Sequence, residues 1–181
     1  TFRDLVFSFA NEVAFLCDDF NIDAFRLIQA ANEGYPRNPI PLPSPGVAGL
    51  CLSKDPYLYS NPQAGTTLKP TLGKASRAIN SQGAKYVLGK MDAFADRHGL
   101  DRAQMKVLLV GLAFKGMPET SDYRDSVALE LAQSLNRENL IVKDFVIADA
   151  DIAALGFTPA GDLAEAVTGA DAILVMNNHY M

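Results

Sequence analysis

Two stretches of this chain hold residue types able to do chemistry. The first, over residues 45–56, reads Pro-Gly-Val-Ala-Gly-Leu-Cys-Leu-Ser-Lys-Asp-Pro and sets the thiol of Cys51 three residues before Lys54 and four before Asp55. A neighbouring cation favours the thiolate, the nucleophilic form of sulfur, and a nearby carboxylate could orient or activate a water. Plainer readings stand beside these. A free cysteine is commonly a small buried hydrophobe, Asp55 is placed to cap a short helix after it, and Lys54 reads equally as an exposed surface lysine. The second stretch is Val-Leu-Leu-Val-Gly-Leu-Ala-Phe-Lys over 107–115, followed by Ser-Asp-Tyr-Arg-Asp-Ser over 121–126. Lys115 follows a strand and a turn, and open α/β folds bind ligands beyond the carboxyl ends of their strands. It is either a contact for a ligand hydroxyl or phosphate, or a solvated loop lysine. Arg124 steadies the loop after it or meets a charged ligand, and Ser126 is placed to cap the next helix.

The elements that must position these residues change character along the chain. Phe2, Val6, Phe9, Val13 and Leu16 recur at steps of four and three, a helical stripe. A second helix is expected over 23–32, with Asp23 as N-cap and Gly34 beyond its end. Pro36, Pro39, Pro41, Pro43 and Pro45 then exclude helix and give an extended, stiff lead-in to Cys51. Arg37 in that lead-in offers a donor fork suited to a diphosphate, or is a solvated loop arginine. A short helix is expected after Asp55. A long one is expected from about 71 to 98, with Leu72, Ala75, Ile79, Val87, Met91 and Phe94 near one face and Gly99 as its stop. Beyond it, 107–110, 140–148 and 172–176 read as strands, and 126–136 and 162–167 as helices. That alternation predicts a parallel sheet with crossover helices. The fold class is α/β: an all-helical domain over 1–101, then a parallel-sheet domain over 102–181, with the boundary near 101–103.

Composition narrows the function classes. Of 181 residues, 49% are apolar and 20% charged, an ordinary globular balance. The net charge of −5 argues against a general nucleic-acid surface, though not against a local basic pocket. The apolar runs are too short to span a bilayer, so no membrane partner is expected. No leader pattern opens the chain. Two cysteines make no disulfide framework, and Cys17 falls in a helical apolar pattern, so it is expected in the core and the compartment reads as reducing and cytoplasmic. His98 and His179 lie far apart with no ligand spacing around them, so no metal is expected. The segment 111–124 lacks Gly-x-Gly-x-x-Gly and is no dinucleotide fingerprint.

The Cys51 loop and the Gly-Leu-Ala-Phe-Lys turn, in this order, resemble the UDP-glucose/GDP-mannose dehydrogenase family. The opening Thr-Phe-Arg-Asp-Leu-Val-Phe-Ser-Phe-Ala-Asn-Glu is similar to the family's long central helix, and its Phe-Arg-Asp run to the branch that oxidises UDP-N-acetylhexosamines such as UDP-N-acetylmannosamine. The resemblance covers essentially the whole chain. It implies a central dimerisation domain and a Rossmann-like nucleotide-sugar domain. It also implies two NAD-dependent oxidations that turn a sugar C6 alcohol into a carboxylate. On it, Cys51 forms the thiohemiacetal and thioester, Asp55 serves the hydrolytic water, and Lys54 lies near the nicotinamide. Arg3, Arg37, Gly49, Lys115 and Arg124 serve the substrate, Arg37 from a neighbouring subunit.

Asn11 and Glu12 match a helix pair where packing or buried hydrogen bonding outweighs catalysis. Ala48 departs from a family glycine, and its methyl puts the loop geometry in doubt. Family members carry an NAD-binding domain before the position of Thr1 and more chain after Met181. The resemblance therefore implies a part of a longer protein, inactive alone, with most of the NAD contacts elsewhere, forming a homodimer through the first helix. The alternative is a non-catalytic dimerisation and nucleotide-binding module in which Cys51 is merely packed. An unrelated thiol enzyme ranks last, since no histidine lies near Cys51 in sequence.

Overall fold

The computed structural model describes residues 1–44, 47, 49–61 and 70–177, with Leu50 described by its backbone alone. Ala48, Pro45 and His179, singled out above, lie outside the described residues. The chain divides into two compact units, Thr1–Gly83 and Ala84–Met181, and each is described by itself.

The first unit is built of α1 (Phe2–Asp19), α2 (Ala24–Asn32), α3 (Leu50–Tyr59) and α4 (Leu72–Asn80). The stripe on α1 has the spacing expected of it, yet it faces outward: Phe2 is 81% exposed and Leu16 is 55% exposed. The opposite face is the buried one, with Asp4, Ser8, Ala10, Asn11 and Cys17. Polar side chains can occupy that face because α4 meets them with Ser76, Arg77 and Asn80, and a buried polar group is tolerable once hydrogen-bonded. Helix α2 starts as expected, the Asp23 carboxylate accepting from the N–H groups of Phe25 and Arg26.

Two expectations are corrected in this unit. The short helix does not follow Asp55; α3 begins at Leu50 and carries Cys51 in its first turn. Asp55 is therefore inside the helix and caps nothing. Pro56 sits within α3, where it costs the helix one backbone hydrogen bond. The long helix over 71–98 is also two, α4 and α5 (Gly83–His98), parted at Ser81 and Gln82. On α4 the buried residues are Gly73, Ser76, Arg77 and Asn80, while Leu72 and Ala75 are exposed. The helical period was right and the buried face was not.

The second unit contains α5, whose helix ends just before Gly99 as expected, and a four-stranded parallel sheet. Its strands are β1 (Val107–Val110), β2 (Leu140–Lys143), β3 (Thr158–Pro159) and β4 (Ala172–Val175), in spatial order β3-β2-β1-β4. In register, Leu108 lies beside Ile141 and Ile173. Helices α6 (Val127–Ser134), α7 (Asp149–Ala154) and α8 (Leu163–Gly169) connect the strands. Leu108, Leu109, Leu112, Leu131, Leu140, Val142 and Ile152 are all fully buried, an apolar core in which each such side chain contributes about 1.5–3 kcal/mol. Ser126 caps α6 through the Ala128 N–H, and Asp162 caps α8 through the Glu165 N–H. The strand expected over 140–148 stops at Lys143, because Asp144 turns inward to bind backbone. Helix α7 and strand β3 were not foreseen. Pro159 is compatible with β3 because that strand is at the sheet edge.

Candidate functional site

In the helical unit, four of the candidate site residues, Gly49, Cys51, Lys54 and Asp55, gather at the start of α3, while Arg3 and Arg37 lie on other elements. Gly49 is its N-cap at φ 97, a left-handed conformation that side chains other than glycine rarely take. The Gly49 carbonyl accepts from both the N–H and the Oγ of Ser53, closing the first turn. Cys51 is exposed there, whereas Cys17 is buried. The steps of three and four residues set Lys54 and Asp55 one turn along the same side of α3 as Cys51. Lys54 is exposed and Asp55 half-buried. Arg3 is exposed on α1, its guanidinium 5.9 Å from the centre of the Phe7 ring, and Arg37 is exposed on the proline-rich loop.

That loop is held by two carboxamides. Asn32 donates to the Ile40 carbonyl and accepts from the Ile40 N–H, both at 2.8 Å. Asn11 accepts from the Ser44 N–H at 2.9 Å and donates to Asn80 Oδ1 at 3.0 Å. Asn80 in turn donates to the Asp4 carboxylate at 3.0 Å and to its carbonyl at 2.8 Å. Arg77 Nη1 donates to Asp4 Oδ1 at 2.6 Å and to the Val47 carbonyl at 3.1 Å, and Ser76 Oγ donates to Asp4 Oδ2 at 2.7 Å. Asp4 is fully buried and Arg77 is 8% exposed. Asn11 thus has the buried hydrogen-bonding role expected of it, while Glu12 beside it is exposed.

In the sheet unit, the candidate residues Lys115 and Arg124 follow the carboxyl end of β1, which neighbours β4. Strand β2 lies on one side of β1 and β4 on the other, so the strand order reverses there, which is where open α/β sheets form ligand crevices. The turn 111–115 is fixed on several sides. Gly111 N–H donates to the Lys143 carbonyl, Phe114 N–H to the Asp122 carbonyl, and Asn177 Nδ2 to the Ala113 carbonyl. Asp144 binds the turn most heavily: one carboxylate oxygen accepts from Leu112 and Ala113, the other from Val146 and Ile147. Burial pushes this carboxyl up, but the four backbone donors outweigh it and hold the group below the ordinary aspartate value. Lys115 stands half-buried at the end of this turn with its Nζ 5.4 Å from the centre of the Phe114 ring. Arg124 is exposed and makes a two-armed pair with Asp122, through Nε at 2.9 Å and Nη2 at 2.8 Å. The Arg124 side chain, by hydrogen bonding first and by charge as well, lowers Asp122 to about 2. Arg124 is therefore paired within its own loop.

Asp4, Arg77, Asn80, Asp144 and Asn177 escaped the sequence reading. A signal existed for one group: Ser76, Arg77 and Asn80 fall on one face of a helix, which is unusual unless polar partners face them. No group of three or more His, Cys, Asp or Glu able to hold a metal occurs among the described residues. None of their helices is long and apolar enough to cross a membrane.

Residues 1–82 match the model of the UDP-glucose/GDP-mannose dehydrogenase family, central domain, and residues 108–181 that family's UDP binding domain. The chain belongs to this family. Among curated relatives it is similar to the UDP-N-acetyl-D-mannosamine dehydrogenase of Escherichia coli (strain K12), 32% identical over 99% of this chain and 43% of that protein. The Campylobacter jejuni UDP-N-acetyl-D-mannosamine dehydrogenase is 36% identical over 77% of this chain and 32% of its own length. The chain thus spans less than half the length of these curated relatives. In structure it resembles UDP-D-ManNAc dehydrogenase from Pyrococcus horikoshii, with a TM-score of 0.81 and 28% identity over 99% of this chain and 40% of that one. The family's helical part and parallel-sheet part are both present here, as the motifs led one to expect.

Proposed function

We propose that this chain supplies the central and UDP-binding parts of an NAD-dependent nucleotide-sugar 6-dehydrogenase acting on a UDP-N-acetylhexosamine. The observation that carries the reading is Cys51, exposed in the first turn of α3 behind the left-handed Gly49, with Asp55 one turn away. In this role the Cys51 thiolate adds to the C6 aldehyde of the sugar. The resulting thiohemiacetal loses hydride to become a thioester, and a water oriented by Asp55 opens it to the carboxylate and frees the thiol. Sulfur suits the task because a covalent thioester keeps the aldehyde from escaping between the two oxidations. Lys115 and Arg37 serve the sugar hydroxyls and diphosphate, Arg3 and Gly49 the substrate's approach, and Arg124 the loop that carries the charged part of the ligand.

NAD supplies the hydride acceptor when bound. The sheet of this chain does not fit a dinucleotide: the N–H groups of Leu112 and Ala113, which a pyrophosphate would need, are taken by Asp144. Lys54 is the residue proposed to lie beside the nicotinamide. The functional division between the two parts falls near residues 101–103.

Alkylation of Cys51 tests the reading. A saturating UDP-N-acetylmannosamine is expected to slow iodoacetamide labelling of Cys51 at near-neutral pH by about tenfold or more. Labelling that ignores the ligand would support the non-catalytic alternative. The outward stripe Phe2, Phe9 and Leu16 favours a second copy of the chain on α1, since a contiguous exposed apolar strip marks an interface. Analytical ultracentrifugation at micromolar concentration is expected to give the dimer mass. A monomer there would count against it.

A further inference from the structure

We propose that Arg77, with Asp4, Asn80 and Asn11, forms the positioning apparatus of the Cys51 helix, holding the chain just ahead of the thiol by its backbone. The proposal rests on the reading of Cys51 as the attacking group.

Helix α4 meets the Cys51 segment at two points. On one side, Gly73 packs so closely on α3 that a Cβ there would lie 2.5 Å from both the Pro56 carbonyl oxygen and Ser60 Oγ. On the other, Arg77 Nη1 donates to the carbonyl of Val47, four residues before Cys51. A second tie reaches the chain three residues earlier, where Asn11 accepts from the Ser44 N–H. Both ties converge on one acceptor, the buried Asp4 carboxylate: Arg77 reaches it directly, and Asn11 reaches it through Asn80.

An apolar interior would hold α1 on α4 at least as well, because a buried ion pair is offset by the desolvation of both charges. What apolar packing lacks is direction. Hydrogen bonds to one named carbonyl and one named N–H fix where the backbone runs, and a nucleophile must be held to within about 0.5 Å of its productive place. Arg77 is therefore a positioning residue: it acts through the Val47 carbonyl and touches no reacting atom.

The test uses Arg77→Lys and Asn11→Ala in the full chain. Lysine keeps a charge facing Asp4, but its side chain ends one atom short of Nη1, the one nitrogen from which arginine also reaches Val47. The alanine cuts the Ser44 tie and the bond to Asn80, and leaves both partners of the ion pair in place. Amide hydrogen exchange of residues 47–53 is expected to quicken about tenfold in both variants, with exchange in α1 and α4 and the shielding of Cys17 unchanged. Protection of Cys51 by UDP-N-acetylmannosamine is expected to weaken with it, a change that a purely structural role would not produce. Unchanged exchange over 47–53, or a rise shared equally by α1, α4 and Cys17, would overturn the proposal. If Arg77→Lys exposes Cys17, Asn11→Ala alone decides on the same criteria. Protection in the unsubstituted chain is measured alongside. Its failure there would sink the functional reading, while the exchange data would still decide whether the loop is held by Arg77.

Discussion

The two units solve the burial problem in opposite ways. The sheet unit has an interior of leucine, valine and isoleucine, with its polar control points at the strand ends, where Asp144 and Asn177 fix a turn. The helical unit has its polar control points inside, at Asp4, Asn11, Ser76, Arg77 and Asn80, and turns large apolar side chains of α1 outward. Apolar contact is non-directional and tolerates sliding, whereas a hydrogen-bond network has one satisfied arrangement. The unit that carries the candidate nucleophile is the one built on directional contacts.

The largest expected break of this comparison is at the ion pair. Arg77→Met leaves the Asp4 carboxylate buried without its cation and is expected to cost about 3–5 kcal/mol in urea denaturation. The double variant Asp4→Leu/Arg77→Met removes both charges and is expected to recover most of that loss. A double variant no more stable than the single one would mean that packing, not the stranded charge, sets the cost.

A smaller effect is expected at the carboxyl end of β2. Asp144→Asn keeps one acceptor oxygen and loses the other, at about 1–3 kcal/mol. The sign with pH follows from the depressed folded value. The contribution of Asp144 is fully present above the ordinary aspartate value of 3.8 and is lost as pH falls through the lower folded value. Urea midpoints taken from about pH 6 down to about pH 2 should therefore fall less steeply in Asp144→Asn than in the parent. Equal slopes would remove Asp144 from the account of how the turn is held.

What the sequence disclosed follows the same division. Features set by neighbours in the chain were legible: the Asp23 and Ser126 caps, the apolar strand 107–110, and the helical period of α1. Features set by partners far along the chain were not. Which face of α1 is buried depends on Arg77 and Asn80, about seventy residues later, and no local pattern announces that pairing. The start of α3 lies ahead of the position expected, and the helix carries Pro56 inside it at the loss of one backbone bond. For the candidate site, Cys51, Asp55 and Lys115 stood out through their motifs. Asp144 did not, since an aspartate after a strand looks like any other turn residue until its four donors are seen.

The proline-rich lead-in has one more consequence. In the sequence Pro39, Pro41, Pro43 and Pro45 leave backbone donors only on the even-numbered residues between them, and in an extended chain those donors emerge on one side. Two of them, Ile40 and Ser44, are read by the carboxamides of Asn32 and Asn11, much as a neighbouring strand would read them. A tape read every second notch can be shortened or lengthened only in steps of two. Adding or removing a single residue between Ile40 and Ser44 would turn one of the two donors away from its reader, so natural variation in length there should come in pairs.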